Sequence, residues 1–455
     1  MPRSTGRAPQ DRWSLVAVAG LLSFVAMLDM SIVNVALADI GTDLGAPPRA
    51  AQWAVLGYQL PVVALLLPVG RWLDRTAIRP VLLSALAGFA VCSAAAALAP
   101  GMVWLVAARL AQGAFGAALF VLMPVLATRA VRPEVRGRAM SVPATLGPLG
   151  AVSGPALGGL LTDQFGWRAV LLVKLPLCLV AWLVARAALP REGAVRAPGR
   201  REAADTALVA VAVAVVLLAL TLAPGSPWWA AAALLAVVPA VLWARGPGGR
   251  PVVAVLRGAG TTPVHGAVLA VGAAFAAMHY VTALHLQRDS GLSASATGLT
   301  LLAFPAGMAL AGPLGGRLAD RFGPRPVAVT GSALVAAGFV LLAAGSDGAP
   351  PDLAWRLALA GTGMGLYGGP SQFLVMKAVA PEHLATAGST VQLARSLGFT
   401  LGPALATAAW GVAGSADTGA RAALVVAAVA ACSAVPLLAY RPGRKAPEPV
   451  AEQQH

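Results

Sequence analysis

Charge is scarce in this chain of 455 residues: Asp, Glu, Lys and Arg make up 11%, hydrophobic residues 58%, and the mean hydropathy is +0.76. Soluble domains of this total length need a charged surface, and there is too little charge to build one. Cysteine is also scarce. Cys92, Cys178 and Cys432 each lie inside an apolar run, far apart, which excludes a disulfide framework and a thiolate metal site. The five histidines and 18 acids are too few and too scattered for a metal centre, and no metal is expected. No phosphate-cradling Gly-Lys-Ser/Thr loop and no nucleophile constellation is present, so neither ATP-driven nor enzymatic chemistry is expected.

What is present is apolar runs separated by short basic loops. The net charge of +15 does not mark a nucleic-acid binder, because the arginines alternate between loops instead of lining one face with aromatics. Runs long enough to span a bilayer fall at 14–37, 52–70, 80–99, 102–128, 139–162, 167–189, 205–223, 228–244, 262–284, 297–316, 325–345, 353–376, 386–411 and 421–440. With the first tail in the cytoplasm, inward loops and tails hold 25 Lys or Arg and outward loops five. The remaining three, Arg109, Lys174 and Arg395, sit deep inside spans, away from the ends that are counted with the loops. That bias places both ends in the cytoplasm. The basic leader with Ala36-Leu37-Ala38 superficially matches a cleavable signal, but Asp29 and Asn34 interrupt the run, and a first membrane helix is expected.

An internal repeat organises the chain. Gly70-Arg71-Trp72-Leu73-Asp74-Arg75-Thr76-Ala77-Ile78-Arg79-Pro80-Val81 returns 246 residues later as Gly316-Arg317-Leu318-Ala319-Asp320-Arg321-Phe322-Gly323-Pro324-Arg325-Pro326-Val327, with seven of twelve positions identical. Each copy follows the second helix of a six-helix set if the pair at 205–244 is an insertion. The expected domains are a bundle over 1–190, a linker with the extra pair over 191–257, a second bundle over 258–441 and a disordered tail over 442–455. Duplicated halves predict a substrate site near the midplane where they meet.

These features resemble the major facilitator superfamily, and more closely its fourteen-span drug:proton antiporters of bacteria, from Trp13 to about Arg441. The repeated Gly-x-x-x-Asp-Arg loop is similar to the superfamily signature. Leu28 to Leu37 resembles the first-span motif, and Gln52-Trp53 with Tyr58-Gln59-Leu60 the start of the second span. Arg109-Leu110-Ala111-Gln112-Gly113 resembles the fourth-span motif, and Gly150-x-x-x-Gly154-Pro155-x-x-Gly158-Gly159 the fifth-span motif of antiporters. Ala77, Ala38 and Lys174 depart from the pattern, where Gly, Pro and Asn are common. The resemblance implies an all-helical fold, a monomer in the bacterial cell membrane, and export of amphipathic small molecules driven by protons without a cofactor. A same-fold metabolite transporter, whether uptake symporter or exporter, is the alternative, and a non-transporting membrane protein a remoter one.

Asp29 is the only acid deep within a span, where a charge costs at least about 2.5–3.5 kcal/mol and needs a partner or a wet cavity. Arg109 lies at a similar depth and is the expected partner, the two forming a proton-coupling pair, with a structural ion pair as the alternative. Gly150, Gly154 and Gly158 share one face of a helix that Pro155 is expected to kink. The loop residues Asp74, Arg75, Arg79, Asp320, Arg321 and Arg325 are expected to latch the halves, carboxylates on helix N-termini and arginine forks across the seam. Asn34, Lys174, His279 and Arg395 are candidates for the cavity. Lys174, about 10 Å into its span, is expected rather to snorkel to the outer interface, and His279 is more simply a packing residue. Gln287 is expected at the end of the ninth span.

Overall fold

A computed structural model describes residues 11–191, 193, 196, 199–222, 227–258, 260–288, 294–345, 350–413 and 416–440. All regular structure among them is helical. In hydrocarbon a backbone must satisfy its own polar groups, and a helix does so within one segment.

The first bundle holds α1 (Trp13–Ile32), α2 (Leu37–Asp43), α3 (Pro48–Ala51), α4 (Trp53–Leu73), α5 (Ile78–Ala97), α6 (Met102–Arg129), α7 (Arg136–Phe165), α8 (Trp167–Leu172) and α9 (Leu175–Ala188). The insertion holds α10 (Arg200–Leu222), α11 (Pro227–Ala232), α12 (Val237–Arg245) and α13 (Arg250–Arg257). The second bundle holds α14 (Thr261–Arg288), α15 (Ala294–Leu301), α16 (Ala303–Phe322), α17 (Pro324–Ala343), α18 (Pro350–Lys377), α19 (Leu384–Ala413) and α20 (Ala416–Ala439). Ten helices among the described residues are long and apolar enough to cross a membrane. The expected tail lies outside the described residues, as does part of the polar linker after Pro190. The short α13 falls between the expected spans at 228–244 and 262–284. It forms because Val252 and Val255 bury one stripe while Arg250 and Arg257 end it in water.

The packing repeats between halves. α1 lies on α7 as α14 lies on α19, α4 on α6 as α16 on α18, and α5 on α9 as α17 on α20. Across the seam α4 meets α19 and α16 meets α7, while α10 of the insertion packs on α4 and α19 at one mouth of that seam. The repeat also extends further than the residue-70 loop. Pro133-Glu134, Gly150, Gly154-Pro155 return 248 residues later as Pro381-Glu382, Gly398, Gly402-Pro403. The glycines serve the same contact in both halves: a Cβ on Gly154 would lie 3.0 Å from the Ile32 nitrogen of α1, and one on Gly402 would lie 2.9 Å from the Ala277 nitrogen of α14.

Candidate functional site

The deep charged cluster sits where two helices break. α1 stops at Ile32, where the Ser31 hydroxyl turns back to the Met27 and Leu28 carbonyls and Asn34 Nδ2 donates to the Met30 carbonyl. Such local bonds compete with helix continuation. The span from Trp167 breaks at Val173–Lys174, since Pro176 has no N–H to donate one turn back. Asp29 lies just before the first break and Lys174 within the second.

Asp29, Arg109, Gln112 and Lys174 are all fully buried. Arg109 Nη1 donates to Asp29 Oδ2 at 2.8 Å and to Gln112 Oε1 at 2.8 Å, and its Nε donates to the Ala54 carbonyl at 2.8 Å. Gln112 Nε2 reaches Asp29 Oδ1 at 3.4 Å, and Lys174 Nζ donates to the same oxygen. The guanidinium also lies 4.6 Å from the Tyr58 ring centroid. The expected Asp29–Arg109 contact is therefore present. Lys174 is a correction: it neither snorkels to an interface nor lines a cavity. Its depth in sequence was compatible with the outer rim, but the helix break and the packing of α9 on α1 turn it inward onto Asp29. One carboxylate thus meets two basic side chains, and with all three ionised the cluster carries one excess positive charge.

On the opposite face of α1 lies a cavity of about 620 Å³ between the halves. Met27, Met30 and Ser31 of α1 and Asn34 just beyond its end form one wall, Gln59 and Pro155 extend it, and Phe275, His279, Phe399 and Thr400 face them. Asn34 and His279 thus line the cavity. The His279 ring stacks on Phe275 at 5.7 Å, and among the described residues its buried Nδ1 has no hydrogen-bond partner. Arg395 does not line this cavity. It lies one turn deeper along α19, in a smaller chamber of about 40 Å³ bordered by Ser23, Phe120, Tyr367, Gln372 and Gln392. Of the small-residue stripe, Gly150, Gly154 and Gly158 face α1, whereas Gly159 lies off that contact, where a Cβ would come no nearer than 4.0 Å to Val35. For Gln287 only the backbone, within α14, is described.

The repeated loops join the halves at one end. Asp74 accepts from the backbone N–H of Ala385 at 2.8 Å and of Thr386 at 3.1 Å, and from the Thr386 hydroxyl. Asp320 accepts from the backbone N–H of Gly137 at 2.7 Å and of Arg138 at 3.2 Å. Each carboxylate therefore caps the first turn of a helix of the other half, α19 or α7. Gly70 and Gly316 permit the crossings, for a Cβ on Gly70 would lie 2.7 Å from that of Ser389, and one on Gly316 2.7 Å from the Arg138 Cα. Burial pushes the Asp74 carboxyl above its usual value, against the lowering by its Thr386 and backbone bonds.

The arginines differ from expectation. Arg79 donates to the Arg186 carbonyl at 3.1 Å and Arg325 to the Leu438 carbonyl at 2.9 Å, each within its own half, and Arg321 lies over Phe322. A loop arginine is long enough to fold back onto exposed carbonyls at its own helix ends, and does so. Arg138, not singled out in the sequence, pairs with Asp320 across the seam at 3.4 Å. Arg138, Thr386 and Gln112 are the residues that sequence reasoning missed. The Pro-Glu repeat at 133 and 381 marks the capped helix starts, and Gln112 stands in the quoted fourth-span motif.

Residues 19–243 and 265–455 match the family described as Major Facilitator Superfamily. The drug efflux pump JefA of Mycobacterium tuberculosis is 31% identical over 417 residues, 88% of this chain and 81% of that protein. The multidrug resistance protein Stp of the same species is 30% identical over 408 residues, 86% of this chain and 75% of that protein. Among solved structures, the human organic anion transporter MFSD10 superposes with a TM-score of 0.67 at 17% identity, covering 94% of this chain and all of that one. The proton:xylose symporter XylE superposes with a TM-score of 0.64 at 14% identity, covering 93% and 94%. Members of this family are transporters of small molecules, not enzymes. With nearly all of its length matched and its two halves repeating one packing scheme, this multi-pass membrane chain belongs to the Major Facilitator Superfamily.

Proposed function

We propose that this chain is a proton-coupled exporter of amphipathic small molecules in the bacterial cell membrane, working as a monomer by alternating access and driven by the proton gradient without a cofactor. The observation that carries the reading is the Asp29 carboxylate, buried on Arg109 and Lys174 on one face of α1 while the other face of the same helix walls the cavity. The names of the 30–31% identical relatives, a drug efflux pump and a multidrug resistance protein, support export.

The coupling step is a proton taken up by Asp29. A neutral carboxyl no longer holds the Arg109 and Lys174 cations electrostatically, so α1 is released from α6 and α9. Because Met27, Met30 and Ser31 ride on that helix and Asn34 follows its end, its shift reshapes the cavity wall. The close glycine contacts with α7 transmit it to the seam. The Asp74 and Asp320 caps hold the state described here closed at the loop end, which the charge bias makes cytoplasmic, and they separate when the cavity turns inward.

Fourteen spans fit the same reading, with α18 and α19 (28 and 30 residues), α10, and the continuous stretch 227–245 added to the ten more apolar helices. The halves are then 1–190 and 258–441, both ends lie in the cytoplasm, and 191–257 is an insertion. The test is transport into proteoliposomes under an imposed pH gradient with Asp29→Asn. Gradient-driven accumulation should vanish while substrate binding in detergent persists, and full coupling in the variant would refute the assignment.

A further inference from the structure

The two chambers between the halves differ in charge. Among the described residues, no Asp, Glu, Lys or Arg lines the larger cavity, and Arg395 is the single charged side chain in the smaller one. Among the described residues no hydrogen bond or ion pair reaches its guanidinium, unlike that of Arg109. A cation kept unpaired at membrane depth is costly, and such groups mark ligand or ion paths. The chamber's polar walls Gln372, Gln392 and Tyr367 are neutral, and among the described residues the buried Tyr367 hydroxyl has no hydrogen-bond partner. The one deep acid is engaged elsewhere, behind α1. At the repeat offset of 248, Arg395 stands where the first half has Gly147, which borders the same chamber.

We propose that Arg395 anchors an anionic head group, and that the transported compounds are amphiphilic weak acids bearing one carboxylate on an apolar or aromatic body. This deepens the export reading and rests on it for the direction of movement. Arg395 and Phe399 are one turn apart on α19, and Phe399 and Met27 border both chambers. A head at Arg395 therefore leaves its body among Met27, Phe275 and Phe399 in the larger cavity. The inner chamber, about 40 Å³ here, admits a carboxylate oxygen and not a whole ligand. A cationic compound finds no free carboxylate in either chamber and is repelled by Arg395.

The test uses the full chain in lipid nanodiscs, with binding of 1-naphthaleneacetate, its methyl ester, 1-naphthylmethylamine and acetate measured calorimetrically near neutral pH. Naphthaleneacetate should bind at least tenfold more tightly than the ester, and the amine most weakly. Arg395→Gln should bring the acid down to the ester's affinity and leave the ester unchanged, while Arg395→Lys keeps part of the preference. Equal binding of acid and ester by the unaltered protein would overturn the proposal, as would equal losses for both in Arg395→Gln. Acetate binding as tightly as naphthaleneacetate would also overturn it, marking a bare anion site. In proteoliposomes, an Arg395-dependent acid preference without gradient-driven movement would sink the export reading and leave the subsite standing. Gradient-driven movement of acid and ester alike would do the reverse.

Discussion

Removing the Asp74 carboxylate by Asp74→Ala should open the loop end by a calculable amount. The side chain caps α19 with two backbone bonds and one hydroxyl bond across the seam. Loss of such a cap costs about 0.5–2 kcal/mol, which shifts the closed-to-open ratio roughly 2- to 30-fold. Asp320→Ala should do nearly the same, because its additional ion pair to the exposed Arg138 contributes little. The two caps share no partner, so the double variant should add the two effects to within about 0.5 kcal/mol. Spin labels at Glu134 and Glu382, both exposed beside the capped helix starts, would report the separation by pulsed electron resonance. A distance distribution unchanged in the double variant would refute the latch.

Other perturbations probe the cap, the cluster and the glycine stripe. Since burial raises the Asp74 carboxyl, the closed state binds its proton more tightly than an open state with an ordinary carboxyl. Closure should therefore strengthen as pH falls towards the ordinary carboxylate range and weaken as pH rises through the raised value. Asp74→Asn should flatten that response in the same label measurement. In the cluster, Asp29→Ala strands two buried cations and should cost about 3–5 kcal/mol by thermal unfolding, more than Lys174→Met, which leaves the Asp29–Arg109 pair whole; the reverse order would contradict the geometry. At the α1–α7 contact, Gly154→Ala or Gly154→Leu should reduce transport with membrane insertion intact, because an added Cβ would meet Ser31 and lie 3.0 Å from the Ile32 nitrogen. Gly159→Ala should transport normally, and equal defects at both positions would show that the stripe acts by composition alone.

Several parts of the site were legible because they are written as local patterns. A lone acid in an apolar run must be paired, so Asp29 declared itself, and matching depth named Arg109. The residue-70 repeat located both carboxylates of the loop end, since Asp at a helix boundary has one obvious electrostatic use. The direction of Lys174 was not legible. Position along a span gives depth but not facing, and the turn at Val173–Lys174 resets the helical phase. Nor was the fate of Arg79 and Arg325, because a long flexible cation has several carbonyls within reach and only the packed ends decide among them.

By itself, then, the sequence determined that the chain lives in lipid, that it is duplicated, and which few charges lie at depth. Those properties are sums or periodicities along one dimension, and water-to-lipid transfer reads them residue by residue. Only the tertiary structure decided which cations share the single carboxylate, which face of α1 belongs to the cluster and which to the cavity, and that Arg395 is left unpaired. Those outcomes depend on the rotation of each helix about its axis, which is set by the close packing of neighbours many residues away.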